Sequence, residues 1–153
     1  MLDIRKVSII SSEATQLIQE LSEELEKITG SSGRSSFHLN AMENKRAGFF
    51  IAYLDGEAIG CGAIQEYTSK IAEIKRMYSR KRGSGVGRAI IVALENEAQK
   101  LKYHSIILET RKVNSIAVSF YLNNGYQVCH NYGKYIGRNE AICFMKKING
   151  NYY

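Results

Sequence analysis

The stretch Arg82-Gly83-Ser84-Gly85-Val86-Gly87-Arg88 connects a strand-like run, 71–79, to a helix-like run, 89–101. Glycine at every second position lets backbone N–H groups approach an oxyanion closely. The helix that follows adds unpaired first-turn N–H donors and a positive dipole end, and the two flanking arginines can add charge-assisted hydrogen bonds. The stretch therefore predicts a phosphate-binding turn. The alternative is a turn that only joins the strand to the helix.

Motif spacing restricts the kind of phosphate ligand. A nucleoside-triphosphate P-loop needs Gly-Lys followed by Ser or Thr, whereas Gly87 is followed by Arg88 and Ala89. The dinucleotide pattern G-x-G-x-x-G also fails, because the spacing here is G-x-G-x-G. We therefore expect a phosphate-bearing ligand of another kind.

Length and composition predict one folded domain. The chain has 153 residues, of which 44% are hydrophobic and 24% charged, and these proportions are ordinary for a globular protein. No apolar run is long enough to span a bilayer, and the N-terminal residues lack the apolar core of a signal peptide. We interpret residues 1–148 as one cytoplasmic domain with no membrane partner, followed by a frayed tail at 149–153.

The cysteines and histidines do not indicate a metal site. They are Cys61, Cys129, Cys143, His38, His104 and His130. The cysteines are odd in number, far apart in the sequence and set among strand-like residues, which is typical of buried free thiols. The histidines form no pair at metal-ligand spacing. We therefore expect free thiols and no metal.

Positive charge is concentrated near the glycine turn. The net charge of +6 fits nucleic acid, an acidic membrane surface or an anionic small ligand. The clustered cations are Lys75, Arg76, Arg80, Lys81, Arg82 and Arg88. This cluster lacks the interleaved aromatic residues of a single-strand binder, so a small polyanion is favoured and no nucleic-acid partner is expected. A basic nucleic-acid-binding domain is the alternative, and binding that falls steeply with salt would indicate it.

Hydrophobic periodicity predicts an α/β (α+β) domain with a mixed sheet. A helix begins at Ser11 or Ser12 and ends at Gly30, and Asp55-Gly56 predicts a hairpin. Predicted strands are 2–7, 49–54, 58–67, 72–79, 105–110, 126–130 and 141–147, with further helices at 89–101 and 115–123. Gly60 and Gly62, inside a strand, indicate a bulge or a close backbone approach. Segment 31–45 has no clear period and is either a mobile surface connection or a substrate lid.

Three sequence blocks carry a family pattern. They are 72–78, then 82–89, then Leu108-Glu109-Thr110 followed by Asn114, Ala117, Phe120-Tyr121 and Gly125-Tyr126. In the middle block, Arg82, Gly85 and Gly87 fit Arg/Gln-x-x-Gly-x-Gly/Ala. Together the blocks resemble the GNAT superfamily of N-acetyltransferases, in particular its small bacterial members. The resemblance implies a single domain in which helices flank a mixed, mostly antiparallel central sheet.

The resemblance also implies acetyl-CoA as co-substrate, with residues of the glycine turn and of the strand before it as its binding site. The pyrophosphate would lie on the amides of the turn, and the pantetheine arm would pair with the main chain of the strand and contact Asn114. The implied residues are Met77, Tyr78, Ser79, Arg82, Gly83, Ser84, Gly85, Val86, Gly87, Arg88, Asn114 and Tyr121. Many relatives have a proline and about two more residues before the turn, so we expect a tighter loop here.

Two residues correspond to catalytic positions of the family. Glu73 matches a position that sometimes holds the general base, often acting through water, and the alternative is a solvated strand glutamate. Tyr121 matches a tyrosine that often acts as general acid toward the CoA sulfur, and the alternative is an aromatic residue packed on the sheet.

The resemblance predicts an N-acetyltransferase that acts on a primary amine of a small polar molecule or amino acid, by direct attack in a ternary complex. Residues 132–138 connect the last two strands and are expected to form a lip of the acceptor pocket. A catalytically silent CoA-binding module and an enzyme acting on a protein or peptide amine are the alternatives. A homodimer is also left open.

Overall fold

A computed structural model describes residues 1–81 and 83–148, which form one sheet with helices on both faces. Arg82 and the tail at 149–153 lie outside the described residues. The strands are β1 (Leu2–Val7), β2 (Gly48–Leu54), β3 (Glu57–Glu66), β4 (Ile71–Ser79), β5 (Ser105–Arg111), β6 (Gln127–Cys129) and β7 (Ala141–Lys147). The helices are α1 (Ser12–Thr29), α2 (Val86–Lys100) and α3 (Ser115–Asn123).

The strand order is β1-β2-β3-β4-β5-β7-β6. Neighbouring strands run antiparallel except for β4 and β5, which are parallel. Parallel neighbours need a crossover connection, and α2 provides it between β4 and β5. The predicted mixed, mostly antiparallel sheet is therefore confirmed. In the described part of the chain, no helix is both long enough and apolar enough to cross a membrane.

Strand β2 is buried on both faces, which explains its continuous apolar sequence. Phe50 and Ala52 pack in the same cluster as Ile90 of α2. Phe49 and Ile51, which point the other way, pack in the cluster that contains Leu17 of α1. The central strands are thus fixed between α1 on one face and α2 with α3 on the other.

The predicted ends of the helices are close to the observed ones. The Ser11 hydroxyl accepts a hydrogen bond from the Ala14 N–H at 3.2 Å and caps α1, and Gly30 ends it at φ +82°. Helix α2 begins at Val86, before the predicted range 89–101, because Gly85 serves as its N-cap. Segment 31–45 contains two short 3₁₀ turns, Arg34–Ser36 and Leu39–Glu43.

Glycines in β3 let helix α2 and strand β4 lie close to that strand. A Cβ on Gly62 would be 2.7 Å from Met77 Sδ and 2.8 Å from Ile90 Cγ2. A Cβ on Gly60 would be 2.8 Å from the Tyr78 carbonyl oxygen. The register of β3 and β4 also shifts at this point. Gly60 and Gly62 indicated a bulge or a close backbone approach, and the structure has both at this point.

The substitution Gly62→Ala should lower the free energy of unfolding by about 1–3 kcal/mol, because an added methyl group overpacks the contact with α2. Urea denaturation measures the change, and the slope against urea should stay at the wild-type value. An unchanged midpoint would contradict the packing described here.

Candidate active site

Strands β4 and β5 separate after their first paired residues and open a gap in the sheet. Their pairing covers only Ile71–Glu73 and Ser105–Ile107. Beyond it, β4 continues beside β3 as far as Ser79, and β5 continues beside β7 as far as Arg111. Within the described residues, the β5-facing backbone edge of 74–79 therefore has no strand partner and is available to an extended ligand.

A bulge in β4 ties this strand to α1. Arg76 has φ +56°, a left-handed conformation that is rare outside glycine. Its guanidinium donates to the carbonyls of Ile18 at 3.2 Å and Ser32 at 3.1 Å, and to the Ser22 hydroxyl. These bonds hold the bulge against α1 and against the segment that follows it.

A cleft of about 570 Å³ follows the gap, which is a size typical of small-ligand sites. One end is lined by the glycine turn and by α3. The other end is lined by residues of 31–36 and of 134–138. Side chains and main chain of β4 and β5 lie between the two ends. A ligand in the cleft would therefore pass through the gap in the sheet.

The glycine turn has an anion-binding conformation. Gly83 and Gly85 have φ values of +74° and +83°, and a Cβ on either would meet nothing within 4 Å. Backbone conformation, and not crowding, is therefore what favours glycine at these positions. Gly85 is the N-cap of α2 and makes no side-chain cap, so the first-turn N–H groups of α2 lack intrahelical partners. Such a helix end attracts negative charge.

Most of the residues implied for acetyl-CoA lie together in this cleft. Those that line it are Met77, Tyr78, Ser79, Gly83, Gly85, Gly87, Arg88, Asn114 and Tyr121. Ser84 is not in the lining, and its hydroxyl donates to the Lys81 carbonyl at 2.6 Å. The Val86 side chain is buried in the core. For these two residues, only backbone groups are candidates for ligand contact, and Arg82 lies outside the described residues.

Asn114 has a structural role as the N-cap of helix α3. Its side-chain oxygen accepts a hydrogen bond from the Ala117 N–H at 3.2 Å and so caps α3. Because Asn114 also lines the cleft, its contact with the co-substrate stays a prediction.

Tyr121 reaches the cleft from α3 and is otherwise buried. The residue is 7% exposed, and its ring packs edge-on against Tyr126 and tilted against Phe144. Burial, and after it the Glu109 carboxylate, raises the pKa of Tyr121 well above the usual phenol value. The hydroxyl therefore stays protonated at neutral pH and remains a hydrogen-bond donor.

Glu73 is buried, and both of its carboxylate oxygens have partners. The residue is 5% exposed, and Gln65 Nε2 donates to its Oε1 at 3.0 Å. The Tyr132 hydroxyl donates to its Oε2, which also lies 3.3 Å from Lys75 Nζ. Glu73 does not line the cleft. The alternative of a solvated strand glutamate is therefore wrong, because this carboxylate connects β3, β4 and the segment before β7.

Two carboxylates line the cleft, Glu24 from α1 and Glu109 from β5, and Glu109 is the one beside Thr110 and Arg111 of the same strand, which also line it. The Glu109 side chain is 11% exposed, with Oε2 at 3.8 Å from Arg111 Nε. Among the described residues, this oxygen is buried without a hydrogen-bond partner. Burial raises the pKa of Glu109, although Arg111, Lys75 and Lys134 act in the opposite direction. A buried carboxylate with an oxygen that accepts no hydrogen bond and with a raised pKa has the properties of a general base.

The end of the cleft away from the glycine turn is polar and aromatic. It is lined by Ser31, Gly33, Ser35 and Ser36 on one side and by Lys134, Tyr135 and Arg138 on the other. Lys134 Nζ donates to the Ser35 carbonyl at 3.2 Å, which connects the two sides. Lys75 Nζ donates to the Tyr135 hydroxyl at 2.9 Å. Residues of segment 132–138 thus line the cleft, where an acceptor lip was expected.

The sequence matches a family model over much of its length. The model, described as the acetyltransferase (GNAT) family, covers residues 14–126. The chain belongs to the GNAT family. The resemblance inferred from the three sequence blocks is therefore confirmed, and this GNAT protein is an acyl-CoA-dependent acyltransferase.

Relatives of this GNAT protein align over nearly its whole length. An IAA acetyltransferase from Azospirillum brasilense is 27% identical over 147 residues, which cover 94% of this chain and 95% of the relative. A solved Klebsiella pneumoniae protein assigned as an acyl-CoA N-acyltransferase has a TM-score of 0.81 at 26% identity, covering 97% of this chain and 98% of that one. The PaiA N-acetyltransferase of Thermoplasma acidophilum shares the fold, with a TM-score of 0.73 at 20% identity and coverage of 96% and 99%.

No cysteine of the GNAT chain is placed in the cleft. Cys129 and Cys143, distant in the sequence, lie directly opposite each other on β6 and β7, and Cys129 is half-buried where a buried thiol was expected. Burial raises the pKa of the Cys61 thiol to about 12. None of the three lines the cleft. Across residues 1–81 and 83–148, no group of three or more His, Cys, Asp or Glu side chains is arranged to hold a metal ion.

Glu109 is the functional candidate that sequence reasoning on this GNAT chain missed. Its strand reads as a short apolar run, and Ile106 and Leu108 are indeed buried in the core. A glutamate directly after such a run is rarely buried unless it is paired or functional. A glutamate at the end of an apolar strand was therefore the sequence feature that could have identified Glu109.

Proposed function

We propose that this GNAT enzyme transfers the acetyl group of acetyl-CoA to a primary amine of a small polar molecule or amino acid by direct attack in a ternary complex. One observation carries the proposal. A single cleft joins a helix N-terminus suited to phosphate, an unpaired strand edge, a buried carboxylate at Glu109 and a protonated phenol at Tyr121.

The shape and chemistry of the cleft suit acetyl-CoA. The backbone amides from Gly83 to Arg88 would bind the pyrophosphate. The free edge of β4 at 77–79 would bind the amide groups of the pantetheine arm as a neighbouring strand does. The structure of the Thermoplasma acidophilum PaiA enzyme contains coenzyme A, which supports the same class of ligand here.

Each step of the reaction can be assigned to a group that lines the middle of the cleft. The amine must lose a proton as its nitrogen bonds to the thioester carbon, and we assign Glu109 to accept that proton. Attack gives a tetrahedral intermediate, and the carbon–sulfur bond breaks when this intermediate collapses, with the Tyr121 hydroxyl giving a proton to the departing sulfur. A backbone N–H near Met77 would stabilise the thioester oxygen.

Glu73 is the alternative general base, acting through water. Its oxygens already accept from Gln65 and Tyr132 and pair with Lys75. These contacts favour a positioning role, in which Glu73 holds Lys75 and Tyr132 at the end of the cleft away from the glycine turn. The acceptor would bind there, and we call it the acceptor end.

The activity can be tested by incubating the protein with acetyl-CoA and panels of amines, amino acids, polyamines and peptides. Free thiol is followed over time, and the product is identified by mass spectrometry. We expect thiol release that depends on a small amine, with one acetylated amine formed per thiol. Tight binding of acetyl-CoA without thiol release for any amine would favour a silent CoA-binding module.

The glycine turn can be tested with two matched substitutions. Gly85→Ala and Gly56→Ala both place a Cβ at a positive φ with nothing within 4 Å, so each should lower the free energy of unfolding by about 1–2 kcal/mol. Only Gly85→Ala should also weaken acetyl-CoA binding, by roughly tenfold or more, because it shifts amides that bind phosphate. Calorimetric titration with acetyl-CoA measures this, and equal affinities for the two variants would exclude the turn as the phosphate site.

A further inference from the structure

The acceptor end of the cleft holds more cations than the described carboxylates neutralise. The basic side chains that line it are Lys75, Arg76, Arg111, Lys134 and Arg138. Lys75 pairs with Glu73 at 3.3 Å, and Arg111 pairs with Glu140 at 2.9 Å. The other three make no ion pair with a carboxylate in the described part of the chain. The hydrogen-bond partners of Arg76 and Lys134 are uncharged carbonyl and hydroxyl oxygens, so no ion pair with a described carboxylate neutralises these charges.

Arg76 is the most buried of these cations. It is 7% exposed, and its Nε is buried without a hydrogen-bond partner among the described residues. Burial is the main cause that lowers the pKa of Arg76, and the nearby Arg34 lowers it further. A buried cation without a counter-ion is costly, so an anion bound beside Arg76 would be stabilised.

Lys134 and Arg138 approach the same end from the segment before β7. Burial, followed by repulsion from Lys75 and Arg138, lowers the pKa of Lys134. Lys134 Nζ donates to the Ser35 carbonyl and Arg76 donates to the Ser32 carbonyl of the same segment, so these cations lie near one another. A single anionic group could therefore interact with more than one of them.

We propose that the acceptor is a primary amine that also carries an anionic group, carboxylate or phosphate, which Arg76, Lys134 and Arg138 bind. This inference rests on the proposed acetyltransferase function. Glu109 lines the same cleft, so the amine and the anion would be held by different groups at the same time. An α-amino acid and an aminophosphonate have this pattern, whereas a polyamine would be repelled.

These cations lie away from the proposed position of the acetyl-CoA pyrophosphate. The glycine turn follows Ser79, and Lys75 contacts Tyr135 at the acceptor end. With a rise of about 3.3 Å per residue, roughly 13 Å of β4 separates Lys75 from Ser79. The acceptor anion and the pyrophosphate would therefore occupy separate positions.

The test compares kcat/KM for an α-amino acid, its carboxamide, the matching aminophosphonate and a linear polyamine, at saturating acetyl-CoA. The wild type should prefer the anionic amines over the carboxamide by about tenfold or more, because charge-assisted hydrogen bonds are lost with the anion. Lys134→Gln and Arg138→Gln should each reduce this ratio by about tenfold, with KM for acetyl-CoA unchanged. Lys147→Gln, an exposed lysine outside the cleft, should keep the wild-type ratio.

The ratio of kcat/KM for the α-amino acid to that for the aminophosphonate shows whether the site prefers a carboxylate or a phosphate-like group. A wild type that acetylates the carboxamide or the polyamine as well as the anionic amines would overturn the inference and leave the acetyltransferase function standing. Variants that raise KM for acetyl-CoA and keep the ratio would assign these cations to the co-substrate, which also overturns it. Acetyl-CoA binding without acetylation of any amine would overturn the inference together with the proposed function.

Discussion

Replacing Tyr121 with phenylalanine should lower kcat by about 10²-fold or more and leave the Kd for acetyl-CoA nearly unchanged. The ring would keep its packing against Tyr126 and Phe144, whereas the donor to the leaving sulfur would be lost. Because burial raises the pKa of Tyr121, the wild-type rate should show no loss with rising pH from this phenol. Steady-state kinetics and calorimetric titration on the same preparation measure both quantities.

Tyr126→Phe is the matched control for Tyr121→Phe. It also removes one buried phenol, whose hydroxyl donates to Glu95 at 2.9 Å, but Tyr126 does not line the cleft. We expect Tyr126→Phe to lower stability by about 1 kcal/mol through the lost hydrogen bond and to keep the wild-type kcat. Wild-type turnover in Tyr121→Phe would remove this hydroxyl from the mechanism and leave Tyr121 as a packed aromatic residue.

Glu109→Gln should lower kcat/KM by about 10²–10⁴-fold, because the amine loses its proton acceptor. A base works only when deprotonated, so the wild-type rate should rise with pH through the pKa of Glu109, which burial places above the usual carboxyl value. The variant should lack this acidic limb. Profiles of log kcat/KM against pH for both proteins measure the effect.

The same substitution should not destabilise the fold at neutral pH. Because the folded-state pKa of Glu109 is raised, the stability associated with its protonated form is present at low pH and is lost as pH rises through that pKa. Glutamine has no charge to desolvate, so the Tm of Glu109→Gln at pH 7 should equal or exceed that of the wild type. A matched loss of Tm and activity would mean that Glu109 acts through structure alone.

Glu73→Gln separates the two candidate bases. If Glu73 is a positioning residue, its variant should keep the acidic limb and mainly raise KM for the amine, since the contacts to Tyr132 and Lys75 weaken. If the acidic limb disappears in Glu73→Gln and persists in Glu109→Gln, the base is Glu73, as the family resemblance alone suggested.

The local elements and the conformation of the glycine turn could be predicted from the sequence because their causes are local. Ser11 and Gly30 mark the ends of α1 through capping, and Asp55-Gly56 forms the predicted hairpin with positive φ at both residues. Gly83 and Gly85 of the turn likewise have the positive φ values that favour glycine. Such features depend on residues only a few positions away, so the local sequence is enough to predict them.

The site could be predicted only in part because its decisive contacts are non-local. The difference between Glu73 and Glu109 depends on the point where β4 and β5 separate and on Tyr132, which is distant in the sequence from Glu73. Strand periodicity places both carboxylates in strands but does not tell which one has an oxygen that accepts no hydrogen bond. The position of the Cys129 thiol opposite the Cys143 thiol, both of them free, depends in the same way on the register of β6 and β7.

The central claim is that the acetyl group passes directly from acetyl-CoA to the amine within this cleft. The most direct measurement uses acetyl-CoA labelled in the acetyl group, with mass spectrometry of both the amine product and the intact protein during turnover. We expect one labelled acetyl on the amine nitrogen for each thiol released and no label on the protein, since no cysteine lines the cleft. Label retained on the protein as an intermediate, or acetyl-CoA bound without any labelled amine, would contradict this claim.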